Sequence, residues 1–142
     1  MKHLFLALLL FPGLAMADTT CEISLAGADI AIDRGLGSTS QIQSDYGMVQ
    51  VSCSPDLAWS LEVVNAQPGG VIELVGSKGN AIPAYLTLAH SNAVLGSQAN
   101  GEATGGVGNG SAQALSIRAS IAPSILIPAD TYQARVQLSI NF

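Results

Sequence analysis

Read by twos, residues 131–142 (TYQARVQLSINF) separate Tyr132, Ala134, Val136, Leu138, Ile140 and Phe142 from Gln133, Arg135, Gln137, Ser139 and Asn141. Apolar and polar positions alternate with period two, as in a strand with one dry and one wet face. The same period recurs along the chain. Cys21, Ile23 and Leu25 alternate with Glu22 and Ser24, and Ile30 and Ile32 continue that strand past Gly27. Val49, Val51 and Cys53 mark a strand over 48–53, and Trp59, Leu61 and Val63 mark the next. Residues 71–75 form a short apolar run. Residues 82–89 read as a strand that Pro83 confines to an edge or a strand start. Leu115, Ile117, Ala119 and Ile121 alternate with Ser116, Arg118 and Ser120. Turn and breaker residues stand between these runs at Ser54-Pro55-Asp56, Pro68-Gly69-Gly70, Pro123 and Pro128. Very little reads as helix. About seven short strands with turns between them predict an all-β, antiparallel β-sandwich. The stretch from Gly96 to Ser111, rich in Gly, Ala, Asn and Ser, is expected to be a long mobile loop or a loosely ordered hairpin.

The start of the chain breaks the pattern. Lys2 and His3 precede an apolar run from Leu4 to Phe11, and Ala15-Met16-Ala17 follows as a small-residue cleavage site. This predicts a secretory signal peptide over 1–17 and a single domain over 18–142. The apolar run is too short for a membrane span, and no later stretch is long enough. Cleavage leaves 125 of the 142 residues, enough to bury a core. It also takes the formal charge from −5 to −6 by removing Lys2. The basic residues left, Arg34, Lys78, Arg118 and Arg135, are scattered, which argues against nucleic acid as a partner. Two cysteines remain, Cys21 and Cys53. An even count in an exported chain points to one disulfide, against two buried thiols.

Candidate chemistry is sparse. His90 is the one histidine after the signal, so no metal set of several histidines is available, and its place beside Ser91-Asn92 suggests a loop. No Gly-x-Ser-x-Gly elbow is present. Gly106-Val107-Gly108-Asn109-Gly110 lacks the Lys-Ser/Thr ending of a phosphate loop and reads as a turn. Asp29 and Asp33 are two oxygen ligands where calcium takes six or more, and they read as a solvated strand end. Trp59 is expected in the core. No catalytic residue, metal site or cofactor is predicted.

The informative feature is therefore the strand inventory. A sandwich must manage its edges, because unpaired ladder groups recruit other strands. Here the last strand is apolar on alternate positions and ends the sequence. Either it pairs with the first strand and closes the sheet, or the two flank a gap that another protein fills.

A set of residues in order bears on this choice: Cys21-Glu22-Ile23-Ser24; Gly47-x-Val49-x-Val51-x-Cys53; Gly110-x-x-Gln113-x-Leu115-x-Ile117-x-Ala119-x-Ile121; and Pro128-Ala129-Asp130-Thr131-Tyr132 before the terminal strand and its final aromatic. In order and spacing the chain resembles the spore coat protein U domain, a family that includes subunits of archaic, Csu-type chaperone–usher pili. It departs at Asp130, where the family motif usually has glycine, and at Ile32-Asp33-Arg34-Gly35, which replaces an aromatic-Gly pair. The resemblance implies an immunoglobulin-like sandwich lacking one strand that a partner supplies. A periplasmic pilus chaperone, and then a neighbouring pilus subunit at the outer-membrane usher, would insert a strand into the groove. Val136, Leu138, Ile140 and Phe142 would line one wall, and Ile23 and Leu25 part of the other. Such insertion satisfies backbone groups and buries alternate side chains. Only Asp18-Thr19-Thr20 precede Cys21, against about ten residues for a donor strand. The expectation is a subunit that accepts a strand without donating one, most naturally at a pilus tip. A spore or cell-surface coat protein and a self-contained secreted binding module are the alternatives.

Overall fold

The computed structural model describes residues 18–25, 29–34, 42–122 and 127–142. The predicted signal segment 1–17, Gly27, Gly35 and Pro123 lie outside the described residues. Ten strand segments follow in chain order: β1 Cys21–Leu25, β2 Asp29–Arg34, β3 Ile42–Cys53, β4 Ala58–Val63, β5 Val71–Gly76, β6 Ala81–Leu88, β7 Thr104–Val107, β8 Ala112–Ile121, β9 Asp130–Arg135 and β10 Leu138–Asn141. A short 3-10 turn covers Gln98–Asn100. The alternation read from the sequence becomes alternation of burial. In β6 every second residue, Ile82, Ala84, Leu86 and Leu88, is buried. In β4 the buried set is Trp59, Leu61 and Val63.

The segments form two antiparallel sheets. One has seven strands in the order β1-β3-β8-β6-β5-β9-β2, and the other three in the order β10-β4-β7. Between them lies one core, to which Val49, Val51, Leu61, Val63, Leu74, Leu86, Ile117 and Tyr132 each contribute a fully buried side chain. This is an all-β sandwich. β1 and β2 sit at opposite ends of the larger sheet, yet only residues 26–28 separate them in sequence. That much chain reaches about 14 Å at full extension. The sheet must therefore curl until its two edges nearly meet, in the direction that strand twist favours.

Two predicted strands divide in the structure. The run through Cys21–Ile32 becomes β1 and β2, and the run through 131–142 becomes β9 and β10. The second division lets one length of chain serve both layers. The stretch from Gly96 to Ser111, expected to be mobile or loose, instead contains β7 and is tied down on both sides. β7 pairs with β4 from Ala58↔Val107 to Leu61↔Thr104. Beside it, the Val63 N–H donates to the Gly96 carbonyl (2.9 Å), and the Glu102 carboxylate accepts the Gly69 and Gly70 N–H groups (2.7 and 3.1 Å). Trp59 explains one glycine of this segment, Gly106. Its ring lies flat against Gly106, where an added Cβ would stand 2.5 Å from Cζ2, and its Nε1–H donates to Gln113 Oε1 (3.3 Å). Trp59 is thus in the core, as expected, with its polar edge satisfied.

Cys21 and Cys53 form a disulfide across the β1–β3 pair, where they are register partners. The pairing continues outward through Thr20. Its carbonyl accepts from the Ser54 N–H (2.9 Å), and its own N–H donates to Ser54 Oγ (3.0 Å). On the chain-entropy estimate a loop of this length is worth about 3–4 kcal/mol. Cys53→Ser should lower the free energy of unfolding by about that amount, read as a lower denaturant midpoint at unchanged slope; an unchanged midpoint would show that the bond carries no stability.

Candidate functional site

The terminal strand changes sheets in mid-course. β9 belongs to the larger sheet, between β5 and β2. Its neighbours include Ala134 opposite Ile30 and Tyr132 opposite Ile32. β10 belongs to the smaller sheet and pairs only with β4, Leu138 opposite Val63 and Ile140 opposite Leu61. The break falls at Val136 and Gln137, and Asn65 holds it. Asn65 Nδ2 donates to the Arg135 carbonyl (3.0 Å), and Asn65 Oδ1 accepts the Gln137 N–H (2.9 Å). The Val64 N–H then donates to the Gln137 carbonyl (2.8 Å). One amide side chain thus replaces the two ladder bonds lost where the strand bends. Val136 is buried at the bend.

The position of the bend fixes what the free edge offers. In an extended strand successive residues aim their N–H and C=O at opposite edges. Arg135 and Gln137 aim theirs toward β4 and Asn65, so Leu138 and Ile140 aim theirs away, at the edge of β10 where no described strand lies. The opposing element is β1, whose outer edge is likewise unpaired among the described residues. The two edges come within 8 Å of each other, Cα to Cα. A strand bonded to both would need about 9.5 Å, two ladder spacings, so one that bridges them must widen the gap.

β1, β2, β9 and β10 together make a fork. β2 and β9 are its closed stem, paired over six residues from Asp29↔Arg135 to Arg34↔Asp130. β1 and β10 are the splayed arms, leading to β3 and β4 respectively. Ile23 stands on one arm, half-buried opposite Val51, and Leu25 opposite Val49 at the end of the same strand. Leu138 and Ile140 stand on the other, half-buried against the core. Phe142 lies beyond the end of β10 and is 62% exposed. Of the residues expected to line a groove, then, Ile23, Leu138 and Ile140 lie between the arms, Val136 lies buried at the bend, and Phe142 projects past the end. Leu138 and Ile140 keep part of their apolar surface exposed, beside backbone groups with no ladder partner among the described residues. Chemically the arrangement suits one kind of ligand, an extended peptide with alternate apolar side chains.

Several positioning residues carried no signal in the sequence. Asn65 reads as a turn residue, and its two partners are distant along the chain. The outward face of β10 is held by another such set: Asn141 Nδ2 donates to Glu62 Oε1 and to Gln98 Oε1 (both 3.1 Å), while the Gln98 N–H donates to Glu62 Oε2 (2.7 Å). At the stem, Asp130, the departure from the family motif, accepts from Ser77 Oγ (2.6 Å) and from the N–H groups of Thr131 and Lys78 (2.8 and 3.2 Å). It clamps the β5–β6 turn to the start of β9. Two residues on, the Tyr132 hydroxyl donates to the Pro128 carbonyl (2.8 Å). His90 is exposed in the turn after β6. Among the described residues no three of His, Cys, Asp and Glu gather as a metal site, and no helix is long and apolar enough to cross a membrane.

No family model matches the chain, and no curated protein does. The resemblance to the spore coat protein U domain thus rests on the residues quoted above. Among solved structures the chain is similar to a chain in the crystal structure of the CsuC–CsuE chaperone–tip adhesion subunit pre-assembly complex, from archaic chaperone–usher Csu pili of Acinetobacter baumannii. The TM-score is 0.52 at 16% sequence identity, over 87% of this chain and 39% of that one. At that identity the likeness is one of fold. This chain spans about two fifths of the length of the matched chain.

Two outcomes follow from the geometry. Asn65→Ala should cost roughly 1 kcal/mol for the lost hydrogen bonds and speed amide exchange at Gln137; unchanged exchange there would show that the bend holds without it. The Asp130 carboxyl lies below its ordinary value of 3.8, chiefly through the Ser77 hydroxyl, then the Lys78 and Thr131 N–H groups and the Lys78 charge, with desolvation opposing. A carboxyl depressed in the folded state stabilises above its unfolded pKa and loses that contribution as pH falls through the folded value. Melting temperature should therefore drop below about pH 4, and Asp130→Asn should flatten that drop. An identical acid profile for the variant would remove Asp130 as its source.

Proposed function

We propose that this chain is a structural subunit of a surface pilus, assembled by a chaperone–usher route, and that it accepts a partner's β-strand along the free edge of β10. The observation that carries the reading is the pair Leu138 and Ile140, half-buried on an edge strand whose outward backbone groups have no ladder partner among the described residues. The motif resemblance and the fold likeness support it independently. A strand laid along β10 would satisfy those groups and cover the apolar surface of Leu138, Ile140 and Ile23. Completing the burial of each is worth at most about 1 kcal/mol, since full burial of such a side chain is worth about 1.5–3 and most of it is already achieved. The partners are a periplasmic pilus chaperone, the outer-membrane usher and neighbouring subunits, with export through the periplasm to the surface.

Within this reading we place the subunit at a chain end, most naturally the tip. Support comes from the pinning of Thr20 by Ser54 and of Cys21 by Cys53, which keeps everything from Thr20 onward out of a mobile donor arm. With cleavage after Ala17, only Asp18 and Thr19 remain ahead of the pinned residues. The mass of the exported protein checks this: a start at Asp18 fits a chain-end acceptor, and a start many residues earlier overturns that placement.

A sandwich complete on its own, acting as a secreted binding module, is the competing reading. It draws on the pairing of β2 with β9, which already closes half of the fork. Expression in a periplasm separates the two. A subunit that waits for a strand should aggregate or be degraded alone and be rescued by its chaperone as a one-to-one complex. A self-complete module should melt cooperatively without help. On the pilus reading Leu138→Asp, which puts a charge on the groove wall, should abolish chaperone capture, measured by co-purification; undiminished capture would remove β10 from the site.

A further inference from the structure

The stem of the fork is the same edge as its open arm. β4 and β5 follow one another along one edge of the terminal strand, β4 beside β10 and β5 beside β9. Asn65, just past β4, marks that edge by its bonds to Arg135 and Gln137. β2 takes the opposite edge of β9, which is the edge left free on β10. Residues 130–141 thus present one continuous edge, occupied over its first half by a strand of the same chain and, among the described residues, by no strand over its second.

The empty half is short. β10 is four residues long, below the five or six of an average strand. The occupied half is six residues long and carries the better pockets: there β2 buries Ile30 to 2% and Ile32 to 3% exposure, while Ala31 between them faces out. β2 is itself an edge strand, with no partner but β9. Resting on the strand-acceptance reading above, we infer that the full docking surface for a partner strand is the whole edge 130–141, and that β2 is a stand-in occupant which the partner displaces. The incoming segment first pairs with Leu138 and Ile140, where no bond must break. It then advances across the bend at Val136 and exchanges β2's ladder bonds for its own, one for one. Because the backbone exchange is like for like, side chains decide it. β2 shows what fits: an extended segment with apolar, β-branched residues at alternate positions, continued for the further inward positions opposite Leu138 and Ile140. The occupant is such a segment of another protein.

The test is hydrogen exchange on the exported chain, with and without a synthetic peptide of alternating valine and threonine long enough to cover residues 130–141. The expected result is slower exchange at the Leu138 and Ile140 amides together with at least ~ten-fold faster exchange at the Ile30 and Ile32 amides, whose register partners are Ala134 and Tyr132 of β9. Protection at β10 with β2 unchanged overturns the displacement and leaves the acceptor edge standing. No protection at β10 overturns the acceptor edge and the displacement with it. A second variant avoids dependence on exchange rates. Ile30 and Ala134 are register partners, so Ile30→Cys with Ala134→Cys, oxidised, pins β2 in place. Pinning should weaken peptide binding at least ~ten-fold relative to Ala134→Cys alone, and equal affinity would overturn the inference.

Discussion

Residues 130–141 have to belong to two sheets at once. A strand's backbone groups point along two edges only, and this strand uses one edge for β5 and then β4, which lie in different layers. The layers diverge, so the strand must bend, and at the bend ladder bonds are lost. Asn65 supplies their replacement. The rest of the architecture is arranged around that bend. β2 follows the first half of the strand and β1 leaves toward β3, because the larger sheet curls and cannot keep both in contact with the terminal strand. The free edge of β10 results from this divergence.

Stability and availability are thus coupled in one element. The outer face of β10 is held to β4 and to the 3-10 turn by Asn141, Glu62 and Gln98, and the start of β9 is held by Asp130 and Tyr132. These contacts fix the strand in place on the side away from the free edge. The disulfide and Thr20 do the same for β1. Both arms of the fork are therefore rigidly backed while their facing edges stay open, which is the condition under which an inserted strand finds a preformed ladder instead of having to order one. An edge this exposed is ordinarily a hazard. Its shortness, and β2 lying across the remainder, limit what can pair with it.

Much of this was legible along the chain. Ile23, Val49, Leu61, Ile117 and Tyr132 each announce the inward face of a strand, because the face a side chain takes is set by local backbone geometry with period two. The pairing of Cys21 with Cys53 was legible from count and compartment. Phe142 was legible as part of the alternation, but burial depends on neighbours, and β10 ends before it. The run from Gly96 to Ser111 was less legible: its glycines suggested mobility, whereas Gly106 is small because the Trp59 ring lies on it.

By itself the sequence determined the class of fold, the inward face of most of its strands, and the staple between Cys21 and Cys53. The tertiary structure alone decided where that strand bends, that Asn65 holds the bend, and which of its edges is open. The reason is physical. The face of a strand is a property of consecutive residues, whereas an edge is occupied or open according to which distant segment arrives beside it.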